Sequence, residues 1–423
     1  MLKFRIKPTE KMKSTGIKIS LYLNYFVFAI LLNSVGIVIL KSQTIYGVDE
    51  VAASTLELFK DLPIAIISFV IASFLPRIGY KKSMLAGLFL VTFGCIQMYY
   101  ANSFLGAKIL FAIVGVSFAL IKISVYSLIG LIVDNQKEHN SLMSSVEGVF
   151  MIGIALAYFL FPAFNNESEP NSWLNVYWLL AALSATSFVI LYFIKFDEGE
   201  EIPGVNLADD AKQMLLLLTK LLVLVFIISA FLFVMVEQGI MSWLPTFNSR
   251  VLKLPENIGI MMASILAISL AIGRLTAGFI TRYFSWFWVV SVSTLIAMLI
   301  VVLILPKAIG IEVVEINSLF DIPLIGFVFP LVGLFIAPIY PLLNSAILSV
   351  LPKKLHSPMT GLIVIFSALG GTLGSRIIGW LFKNLGANKA FYFLLIPMGL
   401  LIVAFYILNK LTSKAAKQAA AKL

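Results

Sequence analysis

Twelve apolar stretches of 18 or more residues run through this 423-residue chain. An α-helix needs about 20 apolar residues to cross the hydrocarbon core of a bilayer, so each stretch is a candidate membrane span. Strands of a β-barrel would instead give segments of about ten residues with alternating hydrophobicity. The sequence therefore predicts an all-α integral membrane protein with spans at about 17–41, 51–76, 84–101, 104–133, 142–163, 172–195, 215–243, 256–282, 285–306, 322–350, 357–382 and 387–411.

The composition supports this prediction. Hydrophobic residues make up 60% of the chain and charged residues only 12%, whereas soluble domains are about 25% charged. The net charge of +10 would suit nucleic-acid binding, but the lysines and arginines flank the apolar stretches, where they orient membrane spans. We therefore expect no nucleic-acid partner, and we expect the basic segments to face anionic lipid of the bilayer.

The positions of Lys and Arg also predict the orientation. With the N-terminus inside, the basic N-terminal arm, the loop between spans two and three and the C-terminal tail all lie on the cytoplasmic side, while the loop FNNESEPNS between spans five and six has no basic residue. We predict that both termini are cytoplasmic and that the membrane is a bacterial inner membrane. No cleavable signal peptide is evident.

The longest polar break between spans, KFDEGEEIPGVNLADDAKQ, leaves six spans on each side. We predict an N-terminal six-helix bundle at 1–194, a cytoplasmic linker at 195–213, a C-terminal six-helix bundle at 214–412 and a cytoplasmic tail at 413–423. Spans four and ten align weakly, with Lys122 falling on Tyr340. Two related halves predict a solute site near the bilayer midplane between them, lined by spans one, four, five, seven, ten and eleven.

Two charged residues stand inside neighbouring spans at similar depth, Lys122 in span four and Glu147 in span five. A charge near the bilayer centre costs about 2.5–3.5 kcal/mol, so such a group normally faces the bundle interior and has a partner. One interpretation is a purely structural ion pair. The other is a switchable pair, in which a solute anion binds Lys122 or a proton neutralises Glu147.

Three further charged residues, Glu57, Lys60 and Asp61, share one helical turn of span two and predict a self-neutralising cluster at its outer end. We find no enzyme signature. The two histidines, His139 and His356, lie in loops, and the single Cys95 lies in an apolar run. No metal-ligand spacing or phosphate-binding loop appears. The sequence predicts no enzymatic activity, no metal and no cofactor.

The loop between spans two and three reads PRIGYKKS at 76–83. In Arg77, Gly79, Lys81 and Lys82 it resembles the signature loop of the major facilitator superfamily, whereas Pro76 replaces the usual acidic residue. The resemblance implies a gating role for this loop, and the alternative is an ordinary positive-inside turn. Gly79 permits a tight turn, and the basic side chains can bind helix C-termini.

The second half resembles the fucose-permease-type sugar branch of that superfamily, in VEQGIMSWLPTF (236–247), LAISLAIGRLTAGFI (266–280), GLFIAPIYPLLNSAI (333–347) and GLIVIFSALGGTLGSRIIGWLF (361–382). The resemblance implies a twelve-helix major facilitator fold and proton-coupled sugar symport by a monomer. In the first half Asn33 matches the branch. The branch's acidic residues in spans one and four fall on Gly36 and Ile121, which leaves proton coupling to other residues.

The resemblance also singles out Glu237, which matches an acidic residue before Ser-Trp-Leu-Pro. Glu237, with Gln238 beside it, is with Lys122 the strongest candidate for a coupling or binding residue. The alternative is that Glu237 only neutralises Arg376 in span eleven. Arg274 fits the family pattern and is expected to snorkel or to bind a neighbouring helix end.

Three side chains of the second half, Trp243, Tyr340 and Asn344, suit a sugar-binding surface, because aromatic faces contact sugar C–H edges and Asn both donates and accepts hydrogen bonds. Trp243 is equally suited to anchor a span at the membrane interface. Pro338 and Pro341 predict a kink in span ten. Small residues predict close helix approach at Gly115, Gly333, Gly370 and Gly371.

Together these features predict a secondary active transporter that moves a sugar or a sugar-like solute by alternating access, in symport with H⁺ as the coupling ion. Lys122 favours a solute that carries a carboxylate. The alternatives are proton-driven efflux of an amphipathic organic compound and a membrane sensor that transports nothing. The expected partners are the small-molecule solute and the lipid bilayer.

Overall fold

The computed structural model describes residues 11–132, 136–166, 168–194, 207–311, 319–352 and 355–420. Side-chain positions are described for most of these residues, but not for 72–77, the segment that contains Arg77. Within the described ranges the chain is α-helical, with short 3₁₀ turns and a single isolated β-bridge between Asn166 and Glu169. The prediction of an all-α protein is confirmed.

The described residues of the first half form eight α-helices, and the 3₁₀ turn Ser172–Asn175 leads into the last of them. The helices are α1 (Lys11–Asn33), α2 (Val35–Thr44), α3 (Glu50–Ala53), α4 (Thr55–Ile78), α5 (Tyr80–Ala101), α6 (Phe104–Ile132), α7 (Gln136–Ala163) and α8 (Val176–Phe193).

From residue 207 onward, the described ranges form eleven α-helices, and 3₁₀ turns join some of them at Leu305–Ala308, Leu319–Asp321, Phe329–Leu331 and Phe391–Leu394. The helices are α9 (Leu207–Leu218), α10 (Leu221–Arg250), α11 (Glu256–Met262), α12 (Ser264–Ile280), α13 (Trp286–Ile304), α14 (Leu324–Val328), α15 (Val332–Ile336), α16 (Ile339–Val350), α17 (His356–Asn384), α18 (Ala387–Ala390) and α19 (Leu395–Ala420).

Eleven helical segments of the described ranges are long and apolar enough to cross a membrane, and they match eleven of the twelve predicted spans. The twelfth predicted span corresponds to α4, which has 24 residues. At 1.5 Å per residue this helix reaches about 36 Å, enough for the roughly 30 Å hydrocarbon core. Its first turns carry Glu57, Lys60 and Asp61, and the rest of the helix is predominantly apolar. The fold has twelve membrane helices.

The interruptions in two of the spans have a local reason. The first span breaks at Ser34, between α1 and α2, where the Ser34 hydroxyl donates to Leu31 O at 2.8 Å and the Asn33 amide donates to Ala29 O at 2.8 Å. Side chains that bond to helix carbonyls in this way bend helices. The tenth span breaks before α16, where Pro338 is the N-cap residue. The helix is therefore interrupted at Pro338, one of the two predicted prolines, whereas Pro341 lies within α16.

The contacts divide the described residues into two units, one within Met1–Val35 and Leu58–Leu207, the other within Gly36–Glu57 and Ala208–Leu423. Residues 36–57, here called the 36–57 segment, belong to the first half in sequence but pack with the second half. The predicted bundles at 1–194 and 214–412 follow chain order, and as folding units they remain a prediction.

Within the second unit, α10 and α17 pack along much of their length, and two glycines one turn apart make this possible. A Cβ atom on Gly370 would lie 2.3 Å from Phe231 O, and one on Gly374 would lie 2.2 Å from Met235 O. No side chain fits at such distances, so the two backbones touch directly, as in other small-xxx-small helix pairs. The close approach predicted at Gly370 is confirmed.

Candidate functional site

The first unit contains a cluster around Lys122, here called the lysine cluster, with Tyr126 and Glu147. Phe118, Lys122 and Tyr126 lie one turn apart on one face of α6. The Lys122 ammonium lies 5.7 Å from the centre of the Phe118 ring and 6.0 Å from that of Tyr126. A cation over aromatic faces gains about 0.5–2 kcal/mol, depending on how far it is desolvated. The rings therefore offset part of the cost of placing this charge inside a span.

Glu147 joins the lysine cluster from α7. The Tyr126 hydroxyl donates a hydrogen bond of 2.5 Å to Glu147 Oε1. The structure thus brings together the two charged residues that the sequence singled out, with Tyr126 contacting both. Tyr126 was missed at the sequence level, although its position one turn after Lys122 on an apolar helix is a signal that could have found it.

Aromatic rings from α1 and α7 extend the lysine cluster. The Tyr25 ring centre lies 6.3 Å from that of Tyr126, 6.5 Å from that of Phe118 and 5.8 Å from that of Phe150. Tyr25 is buried, whereas Lys122 and Glu147 are half-buried. Residues of three helices therefore place a cation and a carboxylate beside several aromatic rings.

The second unit contains an ion pair between two spans. Arg274 Nη2 on α12 lies 2.7 Å from Glu237 Oε1 on α10. The Glu237 side chain is 9% exposed and that of Arg274 is 34% exposed. The interpretation that pairs Glu237 with Arg376 is wrong, because Arg376 instead donates to Val51 O at 2.5 Å. Arg274, expected to bind a helix end, reaches this carboxylate.

Tyr340 and Asn344 lie one turn apart on α16. Together with the ion pair they are here called the arginine cluster, whose members are Glu237, Arg274, Tyr340 and Asn344. The Tyr340 ring stacks on Phe233 of α10 at 5.6 Å, and its hydroxyl lies 3.4 Å from Ser367 Oγ. The Tyr340 hydroxyl also interacts electrostatically with the charges of Glu237 and Arg274. The Asn344 Oδ1 atom is buried and accepts no hydrogen bond from the described residues. An unpaired buried acceptor is costly, and a ligand hydroxyl could satisfy it.

The other predicted binding residues of the spans have different surroundings. Trp243 is fully buried, and its indole N–H donates to Ser375 O at 2.9 Å. Its ring packs 4.9 Å from that of Phe382, so in this structure it joins α10 to α17. The Asn33 amide bonds to the backbone of its own helix. Gln238 is half-buried on α10.

The loop between α4 and α5 has the features predicted for its glycine and one of its lysines. Gly79 has φ +92°, in the region that favours glycine, and it precedes the first residue of α5. The Lys81 ammonium donates to Tyr192 O at 2.9 Å and to Ile194 O at 2.7 Å, which are carbonyls at the C-terminus of α8. The predicted binding of a basic side chain to a helix C-terminus is confirmed for Lys81. The Arg77 side chain lies outside the described residues.

The 36–57 segment is tied to the rest of the second unit by polar contacts that sequence reasoning missed. Glu57 Oε1 accepts a hydrogen bond of 2.5 Å from the Ser242 hydroxyl. Three other charged residues of the segment form ion pairs with the rest of the unit: Lys41 with Glu256, Glu50 with Arg250, and Asp49 with Lys383 at 2.7 Å.

The charges themselves are a sequence signal for two of these contacts, because acidic residues of the 36–57 segment pair with basic residues near the ends of α10 and α17. Of the predicted cluster in α4, Lys60 and Asp61 do form an ion pair, at 3.5 Å, whereas Glu57 belongs to the second unit. The hydrogen bond from Lys383 holds the pKa of the Asp49 carboxyl below its usual range.

Among the described residues, no group of three or more His, Cys, Asp or Glu side chains could hold a metal ion. The chemistry available in the two clusters is therefore that of cation, carboxylate, phenol and amide. Such groups can bind a polar or anionic solute and can exchange protons.

Comparison with known proteins gives one family and a shared fold. The family model for the Major Facilitator Superfamily matches residues 21–332. No curated protein sequence matches the chain. Among solved structures, a bacterial homolog of the human lysosomal transporter Spinster is similar, with TM-score 0.74 and 13% identity, covering 97% of this chain and 99% of that one.

Two further solved transporters share the fold as well. A D-xylose–proton symporter has TM-score 0.66 and 15% identity, covering 93% of this chain and 97% of its own. The transporter FucP has TM-score 0.61 and 14% identity, covering 93% of this chain and 98% of its own. Identities this low establish a common fold and leave the solute to be argued from the residues themselves.

Proposed function

This chain belongs to the Major Facilitator Superfamily, and we propose that it moves a sugar or a sugar-like solute bearing a carboxylate by alternating access, in symport with protons. The observation that carries the proposal is the Glu237–Arg274 ion pair inside the spans, with the unsatisfied Asn344 amide oxygen on a neighbouring span. Charged pairs inside spans are costly and mark solute or ion pathways.

Each unit contains one cation that could bind a carboxylate on the solute. Lys122 presents its ammonium beside the rings of Phe118 and Tyr126, and Arg274 presents a guanidinium that can bind a carboxylate through two hydrogen bonds. In each cluster taken by itself, an aromatic ring can contact the C–H edges of a sugar, and in the arginine cluster the Asn344 oxygen can accept a hydrogen bond from a sugar hydroxyl. The side chains thus support a solute with an anionic group on a polyhydroxy ring.

Glu147 and Glu237 are the residues that we propose bind the coupling proton. Glu147 accepts a hydrogen bond from the Tyr126 hydroxyl at 2.5 Å, and Glu237 accepts one from the Arg274 guanidinium at 2.7 Å. Hydrogen bonds to an ionised carboxylate are about twice as strong as those to a neutral group. A proton on either carboxylate therefore weakens its hold on the donor and leaves that donor for the solute. Proton binding and solute binding then favour each other, as symport requires.

The test is uptake of a panel of neutral and acidic sugars into proteoliposomes, with and without an inward proton gradient. We expect an acidic sugar to accumulate only with the gradient and to be lost in Lys122→Ala. The matched control is Lys108→Ala, because Lys108 lies on the same helix and also contacts aromatic rings, those of Phe59 and Phe104. The control is expected to transport normally.

Two results would overturn the proposal. Uptake of no sugar under any gradient would favour efflux of an amphipathic compound instead. Equal transport by Lys122→Ala and wild type would show that the lysine cluster only stabilises the fold.

The proposal includes a bacterial inner membrane, cytoplasmic termini and a monomer. Cys95 is the only cysteine and is buried, so a single exposed reporter such as Ser413→Cys can be labelled against a low background. We expect a membrane-impermeant maleimide to label it in inside-out vesicles and not in intact cells. Labelling in intact cells would reverse the orientation.

A further inference from the structure

The second unit has a cavity of about 460 Å³ at the end of the helices nearest the C-terminal tail. Its volume lies within the range of roughly 300–1,000 Å³ that is usual for ligand sites. The cavity is bounded by the end of α12, the start of α13, the end of α16 and the last turns of α19. None of these elements belongs to the lysine cluster, and the residues of the arginine cluster do not line the cavity.

The lining is polar for a site between membrane helices. Seven of its twelve residues carry a hydroxyl or an amide: Thr281, Ser285, Ser345, Ser349, Asn409, Thr412 and Ser413. The hydroxyls of Thr281, Ser349 and Thr412 donate to carbonyls of their own helices.

The other four polar lining residues make no side-chain hydrogen bond within the part of the chain that the structure describes. They are Ser285, Ser345, Asn409 and Ser413. None of the described residues that line the cavity is Asp or Glu. These groups can donate to a ligand without breaking an existing bond, and the lining adds no negative charge.

Three cationic side chains are adjacent in sequence to lining residues: Arg282 follows Thr281, Lys410 follows Asn409 and Lys414 follows Ser413. All three are exposed. Lys410 and Lys414 lie one turn apart on α19, on the ridge next to the one that lines the cavity, and the Lys410 ammonium lies 4.3 Å from the centre of the Tyr406 ring. Cations and free donors together favour an anionic group with several acceptor oxygens, such as a phosphate ester.

Exposed aromatic residues surround the same end of the helices. Tyr283, Phe284, Trp288 and Tyr406 are 71%, 61%, 62% and 53% exposed. Trp and Tyr collect at the level of lipid headgroups in membrane proteins. The cavity therefore opens where headgroups lie, beside apolar side chains that suit acyl chains.

We propose that this cavity binds the phosphodiester headgroup of an anionic phospholipid. The free hydroxyls and the Asn409 amide bind the phosphate oxygens, while Lys410, Lys414 and Arg282 select an anionic lipid over a zwitterionic one. This site is independent of the proposed solute and of the proposed coupling ion. Lysines near an anionic lipid surface are each worth about a factor of five in binding.

The test is native mass spectrometry of the full-length protein in mild detergent, titrated separately with phosphatidylglycerol and phosphatidylethanolamine. We expect phosphatidylglycerol to bind in preference. The double variant Lys410→Ala/Lys414→Ala is expected to weaken that binding by about tenfold or more. Asn409→Leu, which keeps the side-chain size and the charges, is expected to weaken it several-fold.

The charge-matched control is Lys307→Ala/Lys389→Ala, which removes two exposed lysines at the other end of the second-unit helices and is expected to bind like wild type. An unchanged thermal unfolding midpoint without lipid shows that a variant is folded. A third arm adds inorganic phosphate at millimolar concentration. Equal affinity for the two lipids, no effect of either cavity variant, or complete displacement of the lipid by inorganic phosphate would each overturn the proposal.

Discussion

Arg274 Nη2 lies 2.7 Å from Glu237 Oε1, and the two side chains differ in exposure, at 34% and 9%. Loss of Arg274 therefore leaves a buried carboxylate without its cation, whereas loss of Glu237 leaves a guanidinium that solvent can reach in part. Breaking a fully buried pair costs about 3–5 kcal/mol, and exposure of one partner reduces this figure.

We expect Arg274→Gln to lower the free energy of unfolding by about 2 kcal/mol and Glu237→Gln by about 1 kcal/mol, because only the first leaves a buried charge unpaired. The thermal unfolding midpoint should therefore fall further for Arg274→Gln. The double variant Glu237→Gln/Arg274→Gln is expected to recover part of the loss. The measurement is thermal unfolding in detergent. Equal shifts for the two single variants would show that the ion pair is screened by water throughout.

Tyr126→Phe removes the hydroxyl that donates to Glu147 and keeps the ring beside Lys122. We expect it to lose most gradient-driven uptake while unfolding within a few degrees of wild type, since one hydrogen bond to a charged group is worth about 1.5–3 kcal/mol. Tyr99→Phe is the control, because the Tyr99 ring contacts Tyr100 and Trp178, away from the lysine cluster. Normal uptake by Tyr126→Phe would remove Tyr126 from the mechanism.

The sequence predicted the residues of these clusters better than their partners. Lys122, Glu147, Glu237 and Arg274 stand out because a charge inside an apolar run is rare. Partner choice depends on which helices are neighbours and how they rotate, and single-sequence periodicity does not report this. For that reason the sequence suggests Arg376 as an alternative partner of Glu237, and it does not indicate Tyr126.

The close packing of α10 on α17 gives a sharper test of the fold. Gly374→Ala would place a Cβ atom 2.2 Å from Met235 O, so the two helices must separate. We expect a loss of about 1–3 kcal/mol, seen as a lower unfolding midpoint and less folded protein. The control is Gly399→Ala on α19, where a Cβ would meet nothing within 4 Å, and we expect a neutral or slightly stabilising change there. Equal effects of the two substitutions would contradict the direct backbone contact.

The ion pairs of the 36–57 segment differ in burial, and their contributions should differ accordingly. Lys41 and Glu256 are 4% and 25% exposed, whereas Lys383 and Asp49 are 46% and 45% exposed. We expect Lys41→Ala to cost about 2 kcal/mol and Lys383→Ala less than about 1 kcal/mol, read as unfolding midpoints. A larger shift for Lys383→Ala would contradict the described burial.

The Asp49–Lys383 pair also predicts a pH dependence. The hydrogen bond from Lys383 lowers the pKa of Asp49 from its ordinary 3.8. A carboxyl whose folded-state pKa is lowered stabilises the fold above its unfolded pKa, and this contribution is lost as pH falls through the folded pKa. The difference in unfolding midpoint between wild type and Lys383→Ala should be constant from about pH 8 to about pH 5 and shrink only below about pH 4. A difference that disappears near neutral pH would contradict the assignment.

The spans themselves were predictable, because length and hydropathy report directly on the bilayer. Eleven of them meet these criteria in the described ranges, and the apolar sequence of α4 after Asp61 predicts the remaining span. The packing of the 36–57 segment with the second half was not predictable, since chain order assigns it to the first. The contact between Glu57 and Ser242 joins residues 185 positions apart, beyond the reach of any local pattern.

The central claim is that Glu237 couples proton movement to solute movement. The most direct measurement compares two modes of Glu237→Gln in proteoliposomes, with the solute identified by the uptake panel: accumulation driven by an inward proton gradient, and exchange of labelled for unlabelled solute without a gradient. A permanently neutral residue mimics the protonated carboxyl, so we predict that exchange persists while gradient-driven accumulation is lost. Accumulation at the wild-type level would contradict the claim and would leave the ion pair with a structural role alone.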